Sequence, residues 1–348
     1  MEHLWLLAGL LIILVTVADL AFTTLSSSGA GYFTNLITNT IWRVGLGMAG
    51  NDGSKKFLEK AGIVTIGCVI AFWFLSIWLG SALIFCFSES SVVYGQTGRL
   101  TTAAEKFYYS GFTLSTLGVG DYVANGDGWR IFTVVLSLTG FMLITTAITY
   151  MLPVLSADVE KKRISTFVNS MGSSPQEILI NHWQNGEFKG LESHALQLAD
   201  HLIMHSQQLL AYPVLYSFHN SDLEKSVAVS IGKLDEALTI LLVHIPEAHR
   251  PKGRAIITLR RAITHYLVTQ KNYFLNMQEE ELNEIQMPDL QELEAQGIPL
   301  LEIGEEVKQQ QRKLLKRKSY MKLILRNEGR KLEDIYKAGM PAHAELEL

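Results

Sequence analysis

The stretch Thr113-Leu-Ser-Thr-Leu-Gly-Val-Gly-Asp121 decides how this 348-residue chain is interpreted. Gly118 and Gly120 alternate with larger residues, and glycine readily adopts the left-handed backbone region that most residues avoid. A short segment of this kind can turn its carbonyl oxygens toward one axis, where they replace the water shell of a dehydrated cation. Thr116 adds a hydroxyl at the inner end. The alternative for so short a pattern is a glycine-rich turn in an ordinary loop.

The same stretch resembles the potassium-channel signature Thr-Val-Gly-Tyr-Gly-Asp. The matching positions are Thr116, Leu117, Gly118, Val119, Gly120 and Asp121. The resemblance covers about residues 60–155 and implies a prokaryotic potassium-channel-like pore module, with these six residues as its filter, K⁺ as the transported ion and no cofactor. Val119 departs from the family's Tyr or Phe, whose ring tethers the filter. A pore that passes monovalent cations without selectivity is therefore an open alternative.

Three apolar runs have the length of membrane spans. Residues 63–87 and 131–155 each hold about 25 residues almost without charge, against the roughly 20 that cross a bilayer. Residues 4–22 form a third run, which we expect to be an uncleaved helix because no basic region and no small-residue cleavage site accompany it. The sequence thus predicts an all-α membrane protein with three transmembrane helices.

Basic residues predict the orientation of these spans. They follow the first span and the third, at Arg43, Lys55, Lys56, Lys60, Lys161, Lys162 and Arg163. Because basic loops stay on the cytoplasmic side, we expect the amino terminus and the filter loop outside and the C-terminal half in the cytoplasm. The predicted location is the plasma or inner membrane, with several passes through the bilayer.

Residues 100–114 are predicted to form a re-entrant pore helix that leads into the filter. Thr101 or Thr102 can cap its start, because threonine hydroxyls accept hydrogen bonds from the free N–H groups there. Non-helical backbone at membrane depth is tolerated only where protein or water surrounds it. Four copies around one axis, a homotetramer, would supply that environment.

Asp121 needs a partner in this arrangement. The resembled channels often place a Glu in the pore helix to bond the filter Asp, and the aligned residue here is Phe112. Tyr109 and a water molecule are the two partners we consider.

The third span contains two positions at which a gate could bend. Gly140 and Pro153 both weaken a helix, although a glycine in a membrane helix also permits close packing against a neighbour. We weigh hinge and packing equally for Gly140. Helical steps from Gly140 place the predicted cavity-lining residues on one face: Ile144, Thr145, Ile148 and Leu152.

The segment between the first two spans is too polar to cross a membrane. We expect a helix over residues 32–48 that lies at the inner leaflet, with Trp42 and Arg43 at headgroup depth. The predicted division of the chain is a first span at 1–25, a linker at 26–60, the pore module at 61–156, a second linker at 157–172 and a cytoplasmic domain at 173–348.

Residues 173–348 are predicted to form an all-helical regulatory or assembly domain, because their apolar residues recur at helical spacing. No glycine-rich nucleotide-binding motif is present, so any ligand of this domain is unknown. The net charge of −4 gives no sign of nucleic-acid binding, and no catalytic motif indicates an enzyme. A membrane sensor or effector with a degenerate, non-conducting pore loop remains a second hypothesis, which ion flux would distinguish from a channel.

Two side-chain groups in this half could bind a ligand. His194, His201 and His205 share one helix face and could hold a metal, although a plain polar face is the alternative. The second group is basic and could meet anionic headgroups or simply face solvent: Arg312, Lys313, Lys316, Arg317 and Lys318.

Overall fold

A computed structural model describes residues 2–27, 29–274, 288–302 and 304–337. These residues are mostly helical and divide into two compact units. The membrane unit consists of Met1–Ile41, Ile63–Leu155 and Ala211–Val214. The C-terminal unit consists of Trp42–Gly62, Ser156–Leu210 and Leu215–Leu348.

The first five helices are α1 (Glu2–Leu25), α2 (Tyr32–Met48), α3 (Ala61–Cys86), α4 (Ala103–Leu114) and α5 (Asp127–Met171). Among the described residues, three stretches of helix are long and apolar enough to cross a membrane: His3–Leu25, Lys56–Cys86 and Asp127–Met171. The predicted all-α membrane fold with three spans is therefore confirmed.

The third span does not end where its apolar run ends. Helix α5 continues past Leu155 to Met171, so the predicted linker at 157–172 is helical up to its last residue. The sequence beyond Leu155 is polar, and a hydropathy pattern marks where the apolar surface stops rather than where the helix stops. Pro153 lies inside this helix without ending it.

Helices α1 and α3 pack closely through small residues. A side chain built on Gly9 would approach the Gly80 carbonyl oxygen to 2.5 Å, so the two backbones touch here. The His3 and Phe87 rings lie 5.6 Å apart, which places the start of α1 beside the end of α3. The two spans are therefore antiparallel, and their contact is of the close type that glycine permits between membrane helices.

A buried aspartate joins α1 to α2. The Asp19 carboxylate is 4% exposed and accepts hydrogen bonds from Phe33 N at 2.8 Å, Thr34 Oγ1 at 2.7 Å and Trp73 Nε1 at 3.0 Å. The Thr34 N–H also donates to it, at 3.3 Å. The carboxylate therefore caps the positive N-terminal end of α2 and is fully bonded, as a charge buried in an apolar unit has to be.

Two short strands hold the ends of the pore loop together. Strand β1 (Val92–Tyr94) pairs antiparallel with β2 (Tyr122–Ala124), with Val93 opposite Val123. The Gly95 N–H donates to the Asp121 carbonyl at 2.8 Å and extends the pairing to the last residue of the filter segment.

The C-terminal unit contains α6 (Pro175–His182), α7 (Leu191–Ala211), α8 (Val227–Val243), α9 (Ala255–Phe274), α10 (Gln291–Ala295), α11 (Glu305–Lys313) and α12 (Leu315–Asn327). A small hairpin of β3 (Trp183–Gln184) and β4 (Glu187–Phe188) is the exception to its helical pattern in the described ranges. Helix α8 forms the core, because nearly all its residues are buried.

Two acidic residues of α8 form ion pairs with basic residues of the neighbouring helices α9 and α12. Asp235 pairs with Arg260 at 2.6 Å and with Arg317 at 2.5 Å, and Glu236 pairs with Lys318 at 2.9 Å. Arg317 and Lys318 are therefore used inside the fold, so the predicted basic group cannot face headgroups as a whole. Buried carboxylates need such partners, and this explains why the basic residues turn inward.

The end of α2 belongs to the C-terminal unit. Trp42 is 3% exposed, donates from Nε1 to the Asn327 carbonyl at 3.0 Å and packs on the His219 ring. Helix α2 agrees with the predicted helix at 32–48, and the Trp42 side chain is buried in protein, so its predicted headgroup depth stays a prediction. The indole N–H therefore has its polar partner within the protein.

Backbone contacts complete the attachment of this early segment. The Gly53 N–H donates to the Gly329 carbonyl at 2.9 Å, and a side chain on Gly329 would lie within 2.9 Å of the Gly53 Cα. The C-terminal unit is consequently built from segments far apart in the chain, and it does not begin at residue 173.

Candidate ion-conducting site

The pore helix α4 begins with a reciprocal cap. The Thr102 hydroxyl accepts from the Glu105 N–H at 3.4 Å, and the Glu105 carboxylate accepts from the Thr102 N–H at 2.7 Å. Of the two predicted caps it is thus Thr102 that acts, whereas the Thr101 hydroxyl donates to the Val92 carbonyl at 2.7 Å. The cap fixes the start of the helix whose other end leads into the filter segment.

Glu105 also ties the pore helix to the segment that follows the filter. Its carboxylate pairs with Arg99 at 2.6 Å and accepts from the Tyr122 hydroxyl at 2.9 Å. The hydrogen-bonded Arg99 guanidinium lowers the pKa of Glu105 to about 2, so the carboxylate stays charged at neutral pH. Both chain ends of the filter loop are thereby held by one side chain.

Along the filter segment, the backbone angle φ alternates between the positive and the ordinary negative region from one residue to the next. The angle φ is +59° at Thr116, +60° at Gly118 and +84° at Gly120, whereas Leu117 and Val119 lie outside the positive region. A regular strand sends successive carbonyls to opposite sides. When φ alternates between the two regions, successive carbonyl oxygens point to the same side instead. Coordination of a cation by backbone carbonyls needs this arrangement.

Thr116 is the exceptional residue of this segment. A β-branched side chain at positive φ is a genuine outlier, and such a conformation costs about 1–3 kcal/mol. Its N–H donates to the Thr113 carbonyl at 3.0 Å, and the Leu117 N–H donates to the Phe112 carbonyl at 2.9 Å. The C-terminal end of α4 therefore imposes the strained conformation at the point where the filter begins.

The filter carbonyls have no hydrogen-bond partner in the part of their own chain that the structure describes. Within the described ranges, no hydrogen bond reaches the carbonyl oxygens of residues 116–120. Leu117 and Val119 are 71% and 49% exposed in the single chain. A segment that is unsatisfied and exposed in one copy is what an ion pathway shared between copies would present.

Asp121 does not pair with Tyr109. The Tyr109 and Thr133 hydroxyls share a hydrogen bond at 2.8 Å, so this predicted partner is wrong because α5 already occupies the tyrosine. The Asp121 carboxylate instead accepts from the Tyr122 N–H at 3.0 Å.

A cleft of about 640 Å³ lies beside the filter segment. Its lining includes Tyr109, Thr113, Thr116, Gly118, Tyr122 and Thr133. The cleft thus separates the filter from the start of α5 in the isolated chain.

The inner helix α5 meets the end of the pore helix at Gly140. A side chain on Gly140 would overlap the Leu114 carbonyl oxygen and crowd the Leu114 Cα, at 3.2 Å. The packing alternative for Gly140 therefore has a specific contact behind it, whereas hinges at Gly140 and Pro153 stay a prediction.

The predicted cavity-lining residues lie on an uncovered face of α5. Ile144, Ile148 and Leu152 are 46%, 51% and 57% exposed, and Thr145 is exposed as well. Their role as cavity lining stays a prediction.

The three histidines of α7 do not meet. His194 Nδ1 lies 2.9 Å from His182 Nε2, His201 Nδ1 lies 2.6 Å from Glu160, and His205 is buried against the Tyr266 ring. No group of three or more His, Cys, Asp or Glu side chains in the described part of the chain is placed to hold a metal ion. The predicted metal site is therefore wrong, because each of the three histidines contacts a different neighbouring residue although all three lie on one helix.

Comparison with known proteins agrees with this geometry. Residues 64–157 match a family model described as "Ion channel", and this range contains the pore helix and the whole filter segment. The chain is 30% identical over 302 residues to "Uncharacterized membrane protein YdjJ" of Bacillus subtilis (strain 168), covering 86% of this chain and 87% of that protein. No solved structure matches the chain significantly.

Proposed function

This chain belongs to the pore-loop ion-channel family, and from that premise we propose that four copies form a potassium channel whose filter is the backbone of residues 116–120. The observation that carries the proposal is the alternation of φ from Thr116 to Gly120, with carbonyls that no described residue satisfies. A strained threonine lies at its start, and such outliers cluster where function requires them.

The tetramer follows from the surroundings of the filter. Carbonyls without partners cannot lie at membrane depth unless protein or ions surround them, and one chain supplies a single such loop. Four copies give rings of oxygens that can replace the hydration shell of K⁺. We expect a tetrameric particle in native mass spectrometry, together with K⁺ flux in liposomes. A monomer or dimer without cation flux would contradict the proposal.

The backbone requirement can be tested separately from packing. Gly118 and Gly128 both have open space where a side chain would be built, but only Gly118 has positive φ. We therefore expect Gly118→Ala to abolish selective flux and Gly128→Ala to retain it, with both proteins tetrameric. Equal, wild-type flux from both variants would exclude residues 116–120 as the pathway.

Selectivity depends on Val119. The carbonyl ligands come from the backbone and persist, but the aromatic tether is missing, so we propose K⁺ over Na⁺ with a smaller margin than a tyrosine filter gives. Val119→Tyr should shift the biionic reversal potential toward stronger K⁺ preference, and Val119→Ile should not. A wild-type potential that does not distinguish the two ions would favour the second candidate, a non-selective cation channel.

Regulation is proposed to pass through α5. This one helix contributes residues to the membrane unit and, from Ser156 on, to the C-terminal unit. A ligand that binds one state of the C-terminal unit better would then bias the pore. We place this unit in the cytoplasm on the distribution of basic residues. The test is to record single purified channels while the solution that bathes the C-terminal unit is changed. An open probability that stays constant throughout would contradict this coupling.

A further inference from the structure

A second cavity of the membrane unit, about 390 Å³, lies away from the filter segment. It is formed by α1, α3, the loop after α3 and the start of α4. Its lining includes Trp5, Leu83, Leu100 and Phe107 on the apolar side, with Glu89 and Lys106 on the polar side. The pore function proposed above uses none of these six residues.

The cavity lies at one end of the spans. Helix α1 starts beside the end of α3, as the contact between the His3 and Phe87 rings establishes. Because both helices have the length of a bilayer crossing, this end lies where hydrocarbon meets water. Trp5, which is 46% exposed at the cavity, is the side-chain type that prefers this boundary.

Lys106 brings a buried positive charge into the cavity without a direct ion pair among the described residues. It is 4% exposed, and its Nζ donates to the Ser88 carbonyl at 2.6 Å. An ammonium group has three donors, and no described carboxylate forms an ion pair with this one, because Glu89, which also lines the cavity, attracts it only from a longer distance. Burial lowers the pKa of Lys106, as expected for a charge with too few partners. An anion in the cavity would supply the missing contact.

We propose that this cavity binds an anionic phospholipid, with its phosphate on Lys106 Nζ and an acyl chain along Trp5, Leu83 and Phe107. An apolar wall beside one buried cation at the membrane boundary selects a molecule with the same two parts. Lys106 follows Glu105, which holds Arg99 and Tyr122. A lipid bound to Lys106 would stabilise the first turn of the pore helix.

The test measures lipid binding to the full-length, delipidated protein by native mass spectrometry, so it does not depend on conduction. The probes are phosphatidylglycerol, phosphatidylcholine with the same acyl chains, and inorganic phosphate. We expect the wild type to prefer phosphatidylglycerol about five-fold, the value of one basic contact. Lys106→Arg should keep this preference, Lys106→Met should lose it, and Leu83→Trp should weaken binding of both lipids.

Equal binding of both lipids by the wild type, or an unchanged preference in Lys106→Met, would overturn the proposal. Displacement of phosphatidylglycerol by inorganic phosphate would identify a phosphate site and exclude a lipid site. If Lys106→Met does not fold, Leu83→Trp decides, because it leaves the charge in place and fills the space for the acyl chain. Undiminished lipid binding by that folded variant would also overturn the proposal.

Discussion

Gly140 on the inner helix α5 has two explanations, close packing against the pore helix or a hinge for gating. We expect Gly140→Ala to lower the unfolding temperature of the purified protein, because the new methyl group would overlap the Leu114 carbonyl and overpacking costs about 1–3 kcal/mol. Gly128→Ala, on the same helix with open space around it, serves as the matched control.

A pure hinge gives the opposite pattern. If Gly140→Ala unfolds at the wild-type temperature and changes only the open probability, flexibility rather than packing explains this glycine. Thermal unfolding and single-channel recording of the same preparation decide between the two explanations.

The sequence predicts glycine positions well and strained positions poorly. Gly118 and Gly120 are recognisable because positive φ favours glycine. Thr116 shares their backbone conformation, but its side chain gives no sign of it, since the end of α4 imposes the strain. Arg99 and Tyr122 were likewise missed as partners of Glu105, because they approach it from other parts of the loop.

At the scale of one element, α2 depends on a side chain from another helix. We expect Asp19→Asn to lower the unfolding temperature, because an amide offers one acceptor oxygen where the carboxylate receives four hydrogen bonds. A buried donor left without a partner costs about 1–3 kcal/mol. Thr24→Val is the control, since it removes only a bond within α1, to the Leu20 carbonyl. Equal stability of Asp19→Asn and wild type would show that the cap is dispensable.

Helix α7 makes the C-terminal unit sensitive to acid. His205 is fully buried, neither ring nitrogen has a hydrogen-bond partner among the described residues, and burial lowers its pKa from 6.5 to about 3. Below pH 6.5 the unfolded chain therefore binds a proton that the folded chain refuses. Stability should fall as the pH drops from 6.5 toward 3, by up to about 1.4 kcal/mol per pH unit from this group.

His205→Phe should flatten that dependence in denaturant unfolding measured between pH 7 and pH 4. His265→Phe, an exposed change on α9, should leave the slope unchanged. Some acid sensitivity will remain in both variants, because burial also lowers the pKa of three other histidines: His182, His219 and His244. An identical slope in His205→Phe and wild type would contradict the assignment.

Helices could be predicted from the sequence wherever a long apolar run marks them. All three spans and the pore helix follow from hydropathy and from the cap at Thr102. The extension of α5 to Met171 was missed, because its helical hydrogen bonds continue after the apolar surface has ended. The contact of Trp42 could not be predicted, because its partner Asn327 is remote in sequence and no local pattern reveals it.

At the scale of the whole molecule, the C-terminal unit cannot be removed by one cut. Truncation after Arg163 leaves residues 42–62 in place and strips the partners from Trp42, which bonds to Asn327, and from Gly53, which bonds to Gly329. We expect this truncated protein to aggregate or to unfold at a lower temperature, in light scattering and thermal unfolding. Truncation after Lys337, which removes only residues 338–348, is the matched control. A stable tetramer from the shorter chain would mean that 42–62 folds without its partners.

The interleaving of the units also sets an order of events during synthesis. Residues 42–62 leave the ribosome before α3 and α5, yet the Gly329 carbonyl that receives the Gly53 N–H is made about 270 residues later. At roughly 5–20 residues per second, Trp42 and its neighbours wait roughly 15–55 s for the rest of their core. During that interval the membrane insertion machinery handles α3 and α5 while an unfinished apolar surface stays exposed. Residues 42–62 can therefore complete their core only after translation has passed Gly329.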